Sequence, residues 1–282
     1  MQIISQLLVN TLWFSVARLC EIKVSFGQML YINCQGAVID SITPGVKFGG
    51  EVTRAIQISR IVRCSGEKAA AIVAIQKLFS LSSLFFIQLF AARYLIRQTE
   101  FLWILHLQTI VFCVMGLFSM MFIAIFAIPH RIGKYLRKRN PRFFWTRKAN
   151  SYFITLLDQV GEIRKNTKAL ARLALLAVLI WLIYPIKMYI LAIQFYPGVN
   201  LIYIAAITFI AYMVAMIPIF PGGLGGFEGT MVALLIAIGF IISDAAVITV
   251  LFRFISFWIV MLLSLILIIY CKGWNICKKR LR

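Results

Sequence analysis

PGVKFGGE (residues 44–51) and PGGLGGFE (residues 221–228) set proline, glycine and glutamate in one spacing. Each begins Pro-Gly, with Pro44 and Pro221. Each has a glycine five residues after the proline (Gly49, Gly226) and a glutamate seven after it (Glu51, Glu228). Proline ends an incoming helix. The glycines are Gly45, Gly49 and Gly50 in the first copy and Gly222, Gly223, Gly225 and Gly226 in the second. They free backbone N–H groups to converge on one point, where an anion such as a lipid phosphate can be held. A helix starting at the glutamate adds its dipole to that site. The simpler alternative is that Glu51 and Glu228 only cap helix N-termini.

Three cations belong to the same chemistry. Arg54 follows Glu51 at i, i+3 and so shares its helix face. Lys77 and Arg253 stand inside long apolar runs, where a charge costs about 2.5–3.5 kcal/mol at a helix centre on the insertion scale. Each is expected to face the protein interior and to take an acidic partner from Glu51, Glu228 and Asp244. The expected site is a polar, cationic cavity lined by Glu51, Arg54, Lys77, Glu228 and Arg253. The competing reading is structural ion pairs with snorkelling. For Arg93, Arg97 and Lys187, near span ends, snorkelling alone is expected to suffice.

The elements that carry these residues must be membrane helices. The chain has 282 residues, 62% of them hydrophobic and 13% charged. A soluble domain is about 45–50% apolar and about 25% charged. The net charge of +20, from 29 Lys+Arg against 9 Asp+Glu, fits cytoplasmic loops beside anionic headgroups. Nucleic-acid binding is set aside, because no polar domain remains to carry it. The six cysteines form no CxxC pair, and His106 and His130 have no acid in ligand spacing. No metal or cofactor is expected.

The spans expected from hydropathy are 3–17 (short), 69–92, 101–129, 169–191, 200–219, 228–243 and 246–271. Residues 26–43 form a hairpin or re-entrant segment, because Asn33, Gln35 and Asp40 break the run. The expected fold is an all-α polytopic integral membrane protein of about seven or eight membrane helices, some re-entrant or broken, with a two-fold internal repeat. The organisation is a first half (1–129), a basic insert (130–168) and a second half (169–282). From His130 to Arg172 the chain carries twelve Lys/Arg and two acids, Asp158 and Glu162. The basic stretch 54–68, the insert and the C-terminal tail are expected on the cytoplasmic side of a prokaryotic cell membrane, with even numbers of crossings between them. The insert itself is expected to rest on anionic lipid.

ITPGVKFGGEVTRAIQISR (42–60), PGGLGGFEG (221–229) and VITVLFRFISFW (247–258) resemble the transmembrane domain of the lysylphosphatidylglycerol synthase/flippase family. The resemblance covers most of the chain. It implies a helical protein that moves a lipid between leaflets, an aminoacylated phosphatidylglycerol in the bifunctional members. Those members also carry a soluble aminoacyl-transferase domain, which does not match here. The family's acid–base pair and later aspartate in the helix after the first motif align with Gln76, Lys77 and Ser80, and the N-terminal region is shorter than usual.

The expected function is therefore a lipid flippase acting on an anionic or modified phospholipid, with membrane phospholipids as partners. The alternatives are a membrane accessory subunit of a separate transferase, a phosphatidylglycerol lysyltransferase-type enzyme, and a small-solute secondary transporter. No nucleophile–base pair, metal constellation or nucleotide loop supports an enzyme.

Overall fold

The computed structural model describes residues 1–43, 48–96, 128–138, 144–216 and 223–273, all helical apart from short connections. The expected span at 101–129 therefore lies outside the described residues for all but its last two positions, as do Pro44, Gly45, Pro221, Gly222 and Arg97.

The first half opens with α1 (Gln2–Leu19), α2 (Phe26–Ile42), α3 (Phe48–Val62) and α4 (Gly66–Ile96). Residues 26–43 do not fold back on themselves. They form the single helix α2, started by a capping box in which the Ser25 hydroxyl accepts from the Gln28 N–H and the Gln28 side chain accepts from the Ser25 N–H. Two of the polar residues that seemed to break the run are held by neighbours instead: Asn33 donates to Asn10 of α1 at 2.8 Å, and Asp40 accepts from the Gly50 N–H of α3. The hairpin is instead α2 packed against α3, which lie on either side of residues 44–47.

The basic insert is two helices, α5 (Pro129–Lys138) and α6 (Phe144–Lys165). They pack on each other, and α6 packs on α4. Leu156, Val160 and Ile163 of α6 enter the core made with α1, α2, α3 and α4. Arg131, Lys134, Arg164 and Lys165 stay exposed.

The second half is α7 (Thr167–Phe195), α8 (Leu201–Ala215), α9 (Gly226–Ala237), α10 (Ile242–Arg253) and α11 (Ile259–Gly273). A π-helical turn, Phe254–Trp258, joins α10 to α11 without interruption. On length and apolarity, Gly66–Gln88, Thr167–Phe195 and Ile242–Cys271 can each cross a membrane. The chain is a polytopic all-α membrane protein.

Two spans differ from expectation. The 15 residues of α8 and the 12 of α9 rise only about 22 and 18 Å at 1.5 Å per residue. A hydrocarbon core of about 30 Å exceeds both. The expected spans 200–219 and 228–243 are instead two short helices packed on each other, with residues 223–225 in a turn just before the second of them. Gly239, at φ +102, then turns the chain into α10. The crossing count between insert and C-terminus stays even either way. The same order thus stands on both sides of the insert: a helix, two short helices packed on each other, and a long helix.

Candidate functional site: two carboxylate–cation clusters

The first cluster is built on the α2–α3 hairpin. Glycines let the helices approach: a Cβ on Gly50 would lie 2.2 Å from the Asp40 carboxylate carbon, and one on Gly36 would lie 2.5 Å from Arg54 Nε. Into that contact Asp40 presents its carboxylate, 92% buried. It accepts the Gly50 N–H at 2.9 Å and Arg54 Nη1 at 3.0 Å. Glu51, in the first turn of α3, takes Lys77 Nζ of α4 at 2.7 Å and stands 3.6 Å from Arg54 Nη1. The Trp13 ring of α1 lies 5.4 Å from the Arg54 guanidinium carbon, within cation–π range. Glu51 Oε2 and Arg54 Nε are buried without a hydrogen-bond partner in the protein.

The second cluster is built at the start of α9. Gly223 and Gly225 have φ of +73° and +85°, a left-handed backbone that glycine adopts without penalty. A Cβ on Gly223 would also meet Ala215 Cβ at 2.8 Å. Glu228 folds back so that Oε2 accepts the Gly225 N–H at 2.7 Å, while Oε1 lies 2.9 Å from Arg253 Nε. The buried Arg253 guanidinium sits 5.0 Å from the Phe227 ring and 4.6 Å from the Phe257 ring. Phe227 stacks in turn on Phe252, and Tyr212 stands edge-on to Phe227 at 5.1 Å.

Each membrane cation of the expected site therefore has its acid: Glu51 for Lys77 and Glu228 for Arg253. Asp244 takes no part; it is half-buried, beside Ser243. Gly49 packs on Thr43, and Gly226 opens α9. Three expectations change. The N–H groups of Gly50 and Gly225 are taken by the chain's own carboxylates, Asp40 and Glu228, so an incoming anion meets them as competitors. Two acids face two cations in the first cluster and one faces one in the second, so the clusters are balanced ion pairs rather than a cationic cavity. No described hydrogen bond or ion pair links the two clusters.

Lys187 also departs from expectation. It is 95% buried rather than snorkelling. Its Nζ donates to Gln2 Oε1 at 2.5 Å and Ser5 Oγ at 2.9 Å, and the Tyr184 ring lies 5.3 Å away. Distance from the span end misled here, because α1 covers that end of α7. The side chain of Arg93 lies outside the described residues. Asp40 was visible in sequence only as an acid interrupting an apolar run four residues before Pro44, and its two partners appear only when α3 packs on α2.

The profile described as the lysylphosphatidylglycerol synthase TM region matches residues 3–264. The chain belongs to this family. Among its relatives, a UPF0104 membrane protein of Methanothermobacter thermautotrophicus is 25% identical over 260 residues, covering 88% of this chain and 76% of the relative. UPF0104 membrane proteins of Pyrococcus horikoshii (26% identical, 95% of this chain and 84% of the relative) and Methanocaldococcus jannaschii (22%, 96% and 83%) match along nearly the whole chain. In this member of the family, the positions that align with the usual acid–base pair and aspartate have definite neighbours. Gln76 is buried, Lys77 serves Glu51, and Ser80 accepts Trp181 Nε1 through its carbonyl (2.8 Å) and hydroxyl (3.2 Å).

Proposed function

We propose that this chain is a lipid translocase that passes the headgroup of an anionic or modified phospholipid between the leaflets of a prokaryotic cell membrane, with the basic α5–α6 insert on the cytoplasmic side. One observation carries the reading: in each half, the glutamate that closes the Pro-Gly motif stands in the first turn of a helix and pairs with a cation from another membrane helix. Ionisable groups at membrane depth mark substrate paths, and paired interrupted segments in two halves mark the binding site of many transporters. Chemically, the site works by exchange. A headgroup phosphate takes the cation from its carboxylate, the displaced carboxylate is neutralised by a proton, and the ion pair reforms as the phosphate and that proton leave, so no step leaves a bare charge in lipid. The acyl chains stay in the bilayer throughout.

The reading makes the chain a carrier rather than an enzyme. Purified protein in liposomes is expected to move a fluorescent phosphatidylglycerol between leaflets, with Glu228→Gln and Arg253→Ala each slowing it. Rates equal to wild type in both folded variants would sink the exchange mechanism. The accessory-subunit alternative predicts no movement by the isolated chain and recovery when a separate transferase is added.

A further inference from the structure

We propose that the π-helical turn Phe254–Trp258 is the joint that couples the two clusters, by setting the register of α11 against α2. Its sequence, FISFW, contains neither proline nor glycine, so nothing local demands a π turn. Single π turns inside α-helices are rare and concentrate at functional sites. This one is closed by the Ile259 N–H donating to the Phe254 carbonyl, five residues back.

What stands on either side gives the turn its consequence. Immediately before it is Arg253, tied to Glu228 at 2.9 Å. Within it is Phe257, whose ring lies 4.6 Å from the Arg253 guanidinium. The wide turn is thus fastened to the second cluster from both ends of one cation. Immediately after it is α11, which packs on α2 and brings Ser264 beside Cys34 across that contact. α2 in turn carries Asp40, which holds Arg54 and the Gly50 N–H of the first cluster.

A π turn stores one extra residue. When it rewinds as α, everything beyond it shifts by one position, about 100° and 1.5 Å. α11 cannot make that shift and keep its contact with α2. Loss of the Glu228–Arg253 pair removes one tie on Arg253 and shifts its contact with Phe257, the turn rewinds, and α11 moves on α2, carrying the change to the hairpin that holds Asp40. Exchange at the second cluster is thereby reported to the first, although no described bond joins them. The inference takes from the proposed function only that both clusters serve one cycle.

The test uses the full chain in proteoliposomes, with native cysteines other than Cys34 replaced and Ser264→Cys added. Copper–phenanthroline then oxidises the Cys34 and introduced thiols to a disulfide at a rate that reads the α2–α11 register. With Glu228→Gln, that rate is expected to fall at least about fivefold, the lower end of ordinary coupling between sites. An unchanged rate overturns the proposal. Deleting Ser256 winds the turn as α while keeping both flanking registers, and in that background Glu228→Gln is expected to leave the rate unaltered. A persisting fall there would place the coupling outside the turn and also overturn the proposal. If the deletion variant does not fold, the first comparison still decides. The readout measures no lipid movement, so its failure and that of the translocase reading are separate results.

Discussion

Asp40 and Asp158 are both ion-paired aspartates, and they should behave very differently when neutralised. Asp40 is buried against Arg54 and caps the Gly50 N–H. Asp158 meets Arg137 on the exposed face of the insert, with both side chains about half exposed. Removing one partner of a buried pair strands the other charge and costs about 3 kcal/mol or more. An exposed pair is worth less than about 1 kcal/mol. Asp40→Asn is therefore expected to lower the thermal midpoint in detergent by several degrees more than Asp158→Asn, and equal midpoints would show that the hairpin does not depend on this carboxylate. At this scale, the sequence disclosed those partnerships that cost dictates. An unpaired Lys77 or Arg253 in an apolar helix is too expensive, so an acid had to be near, and the few acids available narrowed the choice. Asp40 and Lys187 were not legible in that way. Their partners come from helices that meet only on folding, 10 to 14 residues away for Asp40 and 182 to 185 for Lys187.

The helices carry a different set of consequences. α2 and α3 touch closely enough that Gly50 has no room for a side chain, whereas a Cβ on Gly229, on the exposed side of α9, meets nothing within 4 Å. Gly50→Ala must push the Asp40 carboxylate aside and is expected to destabilise the protein and slow translocation. Gly229→Ala replaces a helical glycine in open space and is expected to stabilise by about 0.5–1 kcal/mol. Paired melting curves check both, and a harmless Gly50→Ala would contradict the close hairpin. Hydropathy located the long helices because crossing needs about 20 apolar residues and leaves a plain signal. It overextended 200–219 and 228–243 because the short helices α8 and α9 are as apolar as spans and differ from them only in where their winding stops. Glycine and proline spacing marked that stop, although not how far it shortens each helix. The misreading of 26–43 has the opposite cause: Asn33 and Asp40 face other helices, so an uninterrupted helix looked broken.

Across the whole molecule, the repeated order of helix, broken pair and long helix on both sides of the insert is what suggests two half-sites in one carrier. The orientation of that carrier rests on charge, since the exposed cations cluster on α5, α6 and the first turns of α7. Lys165 and Lys168 stand at that end of α7, and Gly198 lies just beyond its other end; all three are exposed. A cysteine at Lys165 or Lys168 should react with an impermeant maleimide only from the cytoplasmic side, and one at Gly198 only from outside. The reverse pattern would invert the orientation while leaving the fold untouched.

The central claim, that balanced ion pairs at the two breaks pass a headgroup through the membrane, meets its most direct test in the translocation rate of purified protein. In proteoliposomes, wild type should move a fluorescent phosphatidylglycerol well above the protein-free leak. Loss of a single pair by Glu228→Gln should reduce the protein-dependent rate by about tenfold or more, equivalent to about 1.4 kcal/mol of barrier. A folded wild-type protein that leaves phosphatidylglycerol and aminoacylated phosphatidylglycerol at the leak rate, or a Glu228→Gln variant that moves them as fast as wild type, would contradict the account.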